Sequence, residues 1–267
     1  MKKTIIAIDL HGTLLDIDWK ITKKSRDELI SLLNKMKANF DFYICTGNDF
    51  TFVEKYIDKE ILKTIHGYIL ESGCVVYKSH NKTLLTDDIT IRKAKEIEEH
   101  FISLKLPFIK HFAKRETSVS IFTYDENGGE EPVKHFETIF DILSKHKHAD
   151  SFYATWSNVA IDIIPNGYTK WTALKECAND SFVISFMDSN NDKEIALNSD
   201  LCIMPNNVSH ELIAHLRNNN KLVYQLDKFH FLRNNGYITE SSYTKGVIEG
   251  LKYLKSQDSL PIKSKMG

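Results

Sequence analysis

The sequence predicts an α/β fold: a parallel, Rossmann-like sheet with helices on its faces, interrupted by a small α+β insertion. Three observations predict it. Short apolar runs at residues 5–8, 40–45 and 182–186 each stop at a polar turn, as strands buried on both faces of a parallel sheet do. Segments with helical spacing separate these runs, the pattern of repeated strand–helix–strand units. Between about residues 80 and 160 the pattern changes to charged helices alternating with isolated strands. The expected division is therefore 1–80 and 161–267 for the core and 81–160 for the insertion.

The first strand, 4–8, ends at Asp9, and Gly12 turns the chain at once. Residues 22–38 place Leu29, Ile30, Leu32, Leu33 and Met36 on one helical face, with Thr22 or Ser25 as the cap. The second strand, 40–45, stops at Thr46-Gly47-Asn48. A crossover this short is right-handed and sets the second strand parallel to the first. A helix around 49–59 leads to a third strand, 67–70, and to Glu71-Ser72-Gly73. Residues 74–90 read as a hairpin-like connection carrying the chain out of the sheet. The insertion holds a helix at 91–104, a strand at 117–124, an exposed loop at 125–130, a helix at 131–145, and strands on either side of Ser157-Asn158. After Pro165-Asn166-Gly167 come a helix from Lys170, strands at 182–186, 200–205 and 222–224, and a helix at 210–218. A loop, a helix at 246–254 and a polar tail from Ser256 close the chain.

A chain of 267 residues, 27% charged and 42% hydrophobic, has the composition of a globular protein with one large or two modest domains. Its net charge of −1 supplies no basic field for nucleic acid or anionic membrane. No apolar run approaches the ~20 residues that span a bilayer. Met1-Lys2-Lys3 is too brief a prelude for a signal peptide, so a cytoplasmic location is expected. Cys45, Cys74, Cys177 and Cys202 lack CxxC spacing and read as reduced, buried thiols. His100, His111, His135, His146 and His148 lack metal-site spacing and read as surface residues.

Chemistry concentrates at the strand ends. Asp9 stands at the carboxyl end of a central strand, where open α/β sheets bind their ligands. A carboxylate there is a nucleophile, a metal ligand or both; the alternative is a cap closing a strand–loop corner. Thr46 and the open backbone of Gly47 suit a phosphate oxygen, although Thr-Gly turns are also common in plain loops. Asp188 ends a further strand, with Asp192 four residues on. Carboxylates paired at a sheet edge are costly unless a cation lies between them, and hard oxygen ligands favour Mg²⁺. A plain Asp/Asn-rich loop is the structural alternative.

Taken as an ordered set, Asp9…Thr13, Thr46-Gly47, Lys170 and Asp188…Asp192 resemble the four signature motifs of the haloacid dehalogenase superfamily, over essentially the whole chain. The insertion looks like a C2-type cap, short as in the C2B caps of the Cof-like and archaeal phosphoglycolate phosphatase branch. Residues 161–170 are similar to the segment before the motif-three lysine of sugar phosphatases and phosphomannomutases. The resemblance implies that Asp9 is a nucleophile forming an aspartyl-phosphate. It implies that Thr46, Gly47 and Asn48 hold the phosphoryl group and that Lys170 neutralises its charge. Asp9, the backbone carbonyl of His11, Asp188 and Asp192 would hold Mg²⁺.

Three positions depart from the family pattern. His11 replaces the acid/base Asp, so an imidazole would have to protonate the leaving group and activate water. Asn48 stands where many relatives have Arg, and Met187 replaces the usual glycine before the motif-four Asp. The function expected is Mg²⁺-dependent hydrolysis of a small phosphorylated metabolite, a sugar or sugar-like phosphate, with no nucleic-acid or membrane partner. Lys114, Arg115 and Glu116 are the candidate substrate contacts from the cap. The rival readings are a catalytically silent relative that binds a phosphometabolite or a partner protein, and a phosphomutase.

Overall fold

Strand β1 (Thr4–Ile8) is buried at every residue, and its alternation decides the layering. Ile6 and Ile8 pack on one side with Leu29, Leu33, Val247 and Leu251, whereas Ile5 and Ala7 pack on the other with Leu174, Ile195 and Leu212. The computed structural model that shows this describes residues 3–125, 128–226 and 232–256. From β1 the chain runs through α1 (Lys23–Met36), β2 (Phe40–Cys45), α2 (Phe50–Tyr56), α3 (Lys59–Leu62), β3 (Ile65–Leu70), β4 (Val75–Lys78) and β5 (Asn81–Leu84). Thr22 caps α1, its hydroxyl accepting from the Ser25 amide at 3.3 Å.

The insertion follows: α4 (Asp88–Leu104), β6 (His111–Ala113), β7 (Val119–Phe122), the short pair β8 (Tyr124–Asp125) and β9 (Gly128–Gly129), α5 (Phe136–Ser144), β10 (Phe152–Trp156) and β11 (Ala160–Pro165). The chain then completes the core with α6 (Lys170–Ala178), β12 (Val183–Phe186), α7 (Lys193–Asn198), β13 (Leu201–Met204), α8 (His210–Asn218), β14 (Val223–Gln225), β15 (Asn235–Ile238) and α9 (Tyr243–Ser256).

Two sheets organise these elements. The larger has the order β14-β15-β13-β12-β1-β2-β3-β4-β5, parallel except for the antiparallel β3–β4 and β4–β5 pairs. The smaller is antiparallel, in the order β10-β11-β7-β6. One face of the smaller sheet packs Val119, Ile121, Ile161 and Ile163 against Ala94, Ile97 and Phe101 of α4 and Ile139 and Leu143 of α5. Its other face carries a polar group of side chains among apolar ones such as Phe122 and Ala160. Asp162 on β11 pairs in register with Ser120 on β7 and Thr155 on β10, so strand alternation lays these three side by side, away from the helices.

The expected α/β core with an α+β insertion is what the chain forms; several details differ. Residues 75–84 stay in the large sheet as its antiparallel edge, with Tyr68 paired to Tyr77 and Ile69 to Val76. A boundary at 80/81 would cut this hairpin, and one at 160/161 would cut β11, which belongs to the small sheet. Strands β6 and β15 are additions; both are too short and polar to carry a period-2 signal. The helix expected from 131 begins at Phe136, after a tight turn at Pro132–His135. Of the histidines expected on the surface only His111 is exposed; His100, His135, His146 and His148 are half-buried, with His135 stacked on Phe108 at 4.1 Å. The four cysteines are free, and Cys177 is half-buried, not buried. Part of the loop expected at 125–130, and the tail beyond Ser256, lie outside the described residues. No helix among the described residues is long and apolar enough to cross a membrane.

Candidate active site

Parallel strand packing brings the ends of β1, β2 and β12 to one place, where α6 also begins. Asp9, one residue past β1, is 4% exposed, and Lys170 at the start of α6 is 3% exposed. The Lys170 Nζ donates to Asp9 Oδ1 and to Asp192 Oδ1, each at 2.6 Å. Asp188, one residue beyond Met187 at the end of β12, is fully buried and accepts from Thr13 Oγ1 at 2.9 Å. Oxygens of Asp9, Asp188 and Asp192 lie within 4.8 Å of one another. The loop after β1 can come this close only because residue 12 is glycine. Its φ is +78°, and a Cβ there would lie 2.1 Å from Asp188 Oδ2.

The electrostatics of this cluster are unbalanced. Three buried carboxylates share one ammonium. Burial raises the Asp9 pKa to about 7 against the opposing pull of Lys170, with Asp192 adding to the rise. Burial, with Asp9 and Asp192 nearby, holds Asp188 well above the ordinary carboxylate range. Lys170 is raised despite its burial, because both carboxylates hold its proton. A divalent cation fits such a site: hard oxygen donors, close together, with an excess of negative charge. Met187 is no obstacle there. It is fully buried in the core, and it is not among the residues of positive φ that would call for glycine.

The phosphate-binding candidates stand opposite. Thr46 and Asn48 are buried after β2, and the Asn48 amide donates to Thr46 Oγ1 from both its backbone N (3.2 Å) and its Nδ2 (3.1 Å). The same Nδ2 lies 3.3 Å from His11 Nδ1. His11 leans on Phe52 and Trp19, with ring centroids 4.9 and 5.5 Å away. Desolvation, with Lys170 and Arg115 nearby, pushes its pKa down to about 3, and its buried Nε2 has no partner. The imidazole is therefore neutral near pH 7. This aromatic and cationic surround opposes the charged form.

The cap meets the core at several polar points. Arg115 Nη2 donates to Asn48 Oδ1 at 2.8 Å, so Arg115 reaches the cleft. Lys114 and Glu116, expected beside it, are exposed, and Glu116 pairs with Lys82 on the outside. Backbone alternation turns them away. Asn158, at the β10–β11 turn, donates to Asp188 Oδ2 at 3.1 Å. Glu71 accepts from the amides of Glu116 (3.0 Å) and Thr117 (2.9 Å) and from the Thr117 hydroxyl. Closed in this way, the cleft between Asp9, Thr46, Asn48, Arg115 and Asp162 has a volume of about 20 Å³, room for about one water. A groove of about 350 Å³ adjoins it past Lys170 and Asn191, lined by Trp156, Thr155 and Asn190.

Sequence reasoning missed Asp162, Ser120, Asn158 and Glu71. The one available signal was Asp162 itself, a lone carboxylate inside the apolar run 160–164.

Residues 6–131 match the model of a family described as haloacid dehalogenase-like hydrolases. Over these residues the chain is similar to that family. Solved structures agree in fold along nearly its whole length. A putative HAD/Cof-like hydrolase from Plasmodium vivax is 16% identical with a TM-score of 0.69, covering 96% of this chain and 97% of that one. The sucrose-phosphatase of a Synechocystis species, solved with sucrose and phosphate, is 14% identical with a TM-score of 0.66, covering 96% and 99%. A phosphatase of the haloalkanoate (HAD) enzyme superfamily from Bacteroides thetaiotaomicron is 14% identical with a TM-score of 0.62, covering 95% and 96%. At these identities the likeness is one of fold. No curated protein matches the sequence. Within this haloacid dehalogenase-like core, Asp9, Thr46, Lys170, Asp188 and Asp192 occupy one strand-end site, drawn from segments up to 183 residues apart.

Proposed function

We propose that the protein is a Mg²⁺-dependent phosphomonoesterase acting on a small phosphorylated metabolite, a sugar or sugar-like phosphate. The observation that carries this reading is Asp9, a buried carboxylate fixed through one oxygen by Lys170 beside two further carboxylates. Asp9, the backbone carbonyl of His11, Asp188 and Asp192 would hold the ion. Bound there, Mg²⁺ would offset the cluster's charge and let carboxylate and phosphate, both anionic, approach each other.

The chain's own residues account for the rest. Lys170 orients Asp9 for attack on phosphorus, which transfers the phosphoryl group to the carboxylate and splits hydrolysis into two displacements. Thr46 and the backbone after it face the transferring oxygens, and Arg115 adds charge from the cap. The cleft as it stands has room for about one water, so the cap must swing away to load a phosphoester and then close over the bound ester around a wider cleft than this one. The adjoining groove, with Trp156 and several amide and hydroxyl groups, suits a polyhydroxylated leaving group. Nucleic acid or protein substrates are disfavoured by this covered entrance, and the expected cytoplasmic setting and the absence of a membrane partner stay part of the proposal.

One observation favours a second reading. His11 is neutral, and with Asn48 Nδ2 facing its Nδ1 the ring proton sits on Nε2, which makes it a hydrogen-bond donor and a poor acid. A chain with no other proton donor would bind a phosphometabolite without turning it over, and would serve no better as a phosphomutase. Phosphate release from a panel of sugar phosphates and small phosphomonoesters, with Asp9→Asn alongside, separates these readings.

A further inference from the structure

Position 11 carries no carboxyl group on the core side, and the face of the cap sheet that lines the cleft supplies one. An attacking Asp9 rises from the core sheet, and in-line displacement puts the ester oxygen on the far side of phosphorus, toward the cap. Among the described residues lining the cleft, the carboxylates are Asp9 and Asp162. Asp162 is 6% exposed on β11, and its Oδ1 accepts from Ser120 Oγ at 2.6 Å. Its Oδ2 overhangs the phosphate loop: a Cβ built on Gly47 would lie 3.4 Å from it.

Resting on the phosphatase reading above, we propose that Asp162 of the cap is the catalytic acid of this enzyme, taking the part that a carboxylate at position 11 would play. In the first displacement the Asp9 oxygen bonds to phosphorus and the ester P–O bond breaks. The electron pair goes to the leaving oxygen, which takes the proton of the Asp162 carboxyl and departs as the alcohol. In the second, water attacks phosphorus and gives its proton to the Asp162 carboxylate. The Asp9–phosphorus bond breaks, and Asp162 is a carboxyl again. Burial favours its protonated form over the opposing influence of Ser120, Arg115 and Lys170, the groups that face it. Because the acid rides on the cap, it meets substrate only when the cap is closed.

The test compares two esters of nearly the same shape, p-nitrophenyl phosphate and phenyl phosphate, on the full-length protein with Mg²⁺. The nitrophenolate leaves without protonation, whereas the phenolate needs an acid. The ratio of kcat/KM for the two reports the step in which the leaving group departs. In Asp162→Asn that ratio is expected to rise by about 10²-fold or more, the usual worth of a general acid. Ser120→Ala, which removes a donor that favours the carboxylate, is expected to move the basic limb of the phenyl phosphate pH–rate profile upward. An unchanged ratio in Asp162→Asn, or an unmoved limb in Ser120→Ala, overturns the assignment. Absence of Asp9-dependent turnover of p-nitrophenyl phosphate by the wild-type chain overturns the phosphatase reading itself, and this proposal with it.

Discussion

His11 concentrates the chemistry of this site in one residue. Phe52, Trp19, Arg115 and Lys170 all oppose a charged imidazole, and its pKa falls to about 3. The unfolded chain takes up that proton near ~6.5, so acidification favours unfolding: the stability is full above ~6.5 and is lost as pH falls toward about 3. Replacing His11 with Gln removes this dependence. Between neutral pH and about pH 5 the wild type is expected to lose at most about 2 kcal/mol more than His11→Gln, read from urea midpoints at each pH. His11 also marks a limit of sequence reading. Its position beside the nucleophile was legible, but its protonation state depends on Phe52 and Arg115, 41 and 104 residues further on.

At the scale of elements, close approach of the loop after β1 to Asp188 rests on Gly12. Gly12→Ala places a Cβ against Asp188 at φ +78°, and is expected to cost roughly 1–3 kcal/mol of stability and most of the activity. Glu71 ties the cap to the core by holding the amides of residues 116 and 117. Glu71→Ala strands both amides. It is expected to lower stability by about 1–3 kcal/mol and to speed hydrogen exchange at those two positions ahead of the core strands. The strands that bear the site were legible because 5–8, 40–45 and 182–186 are short, mostly apolar runs that each stop at a polar turn. Strand β15 and the face of the cap sheet were not. β15 reads Asn-Gly-Tyr-Ile, and Asp162 gains meaning only from its register with Ser120 and Thr155.

Across the whole molecule, the charge of the carboxylate cluster couples folding to pH. Asp9 and Asp188 hold protons in the fold that the unfolded chain releases near ~3.8, so the metal-free protein loses stability as pH rises above that value, through about 7 for Asp9. A bound divalent ion reverses this. Mg²⁺ at about 100 times its Kd is expected to add roughly 2.7 kcal/mol, seen as a rise of several degrees in Tm. The rise should grow between mildly acidic and mildly basic pH and vanish in Asp188→Asn. A rise of equal size in that variant would place the ion elsewhere. The cap and core were legible as two units from composition, but their closure was not, since Asn158–Asp188 and Arg115–Asn48 join segments with no local signal.

Phosphate release from small phosphomonoesters with Mg²⁺, wild type against Asp9→Asn, tests the central claim most directly. The account predicts turnover on a sugar or sugar-like phosphate that falls by at least about 10³-fold in Asp9→Asn, because the amide keeps the shape and loses the nucleophile. Turnover that survives in Asp9→Asn, or none on any ester with Mg²⁺ bound, would contradict it.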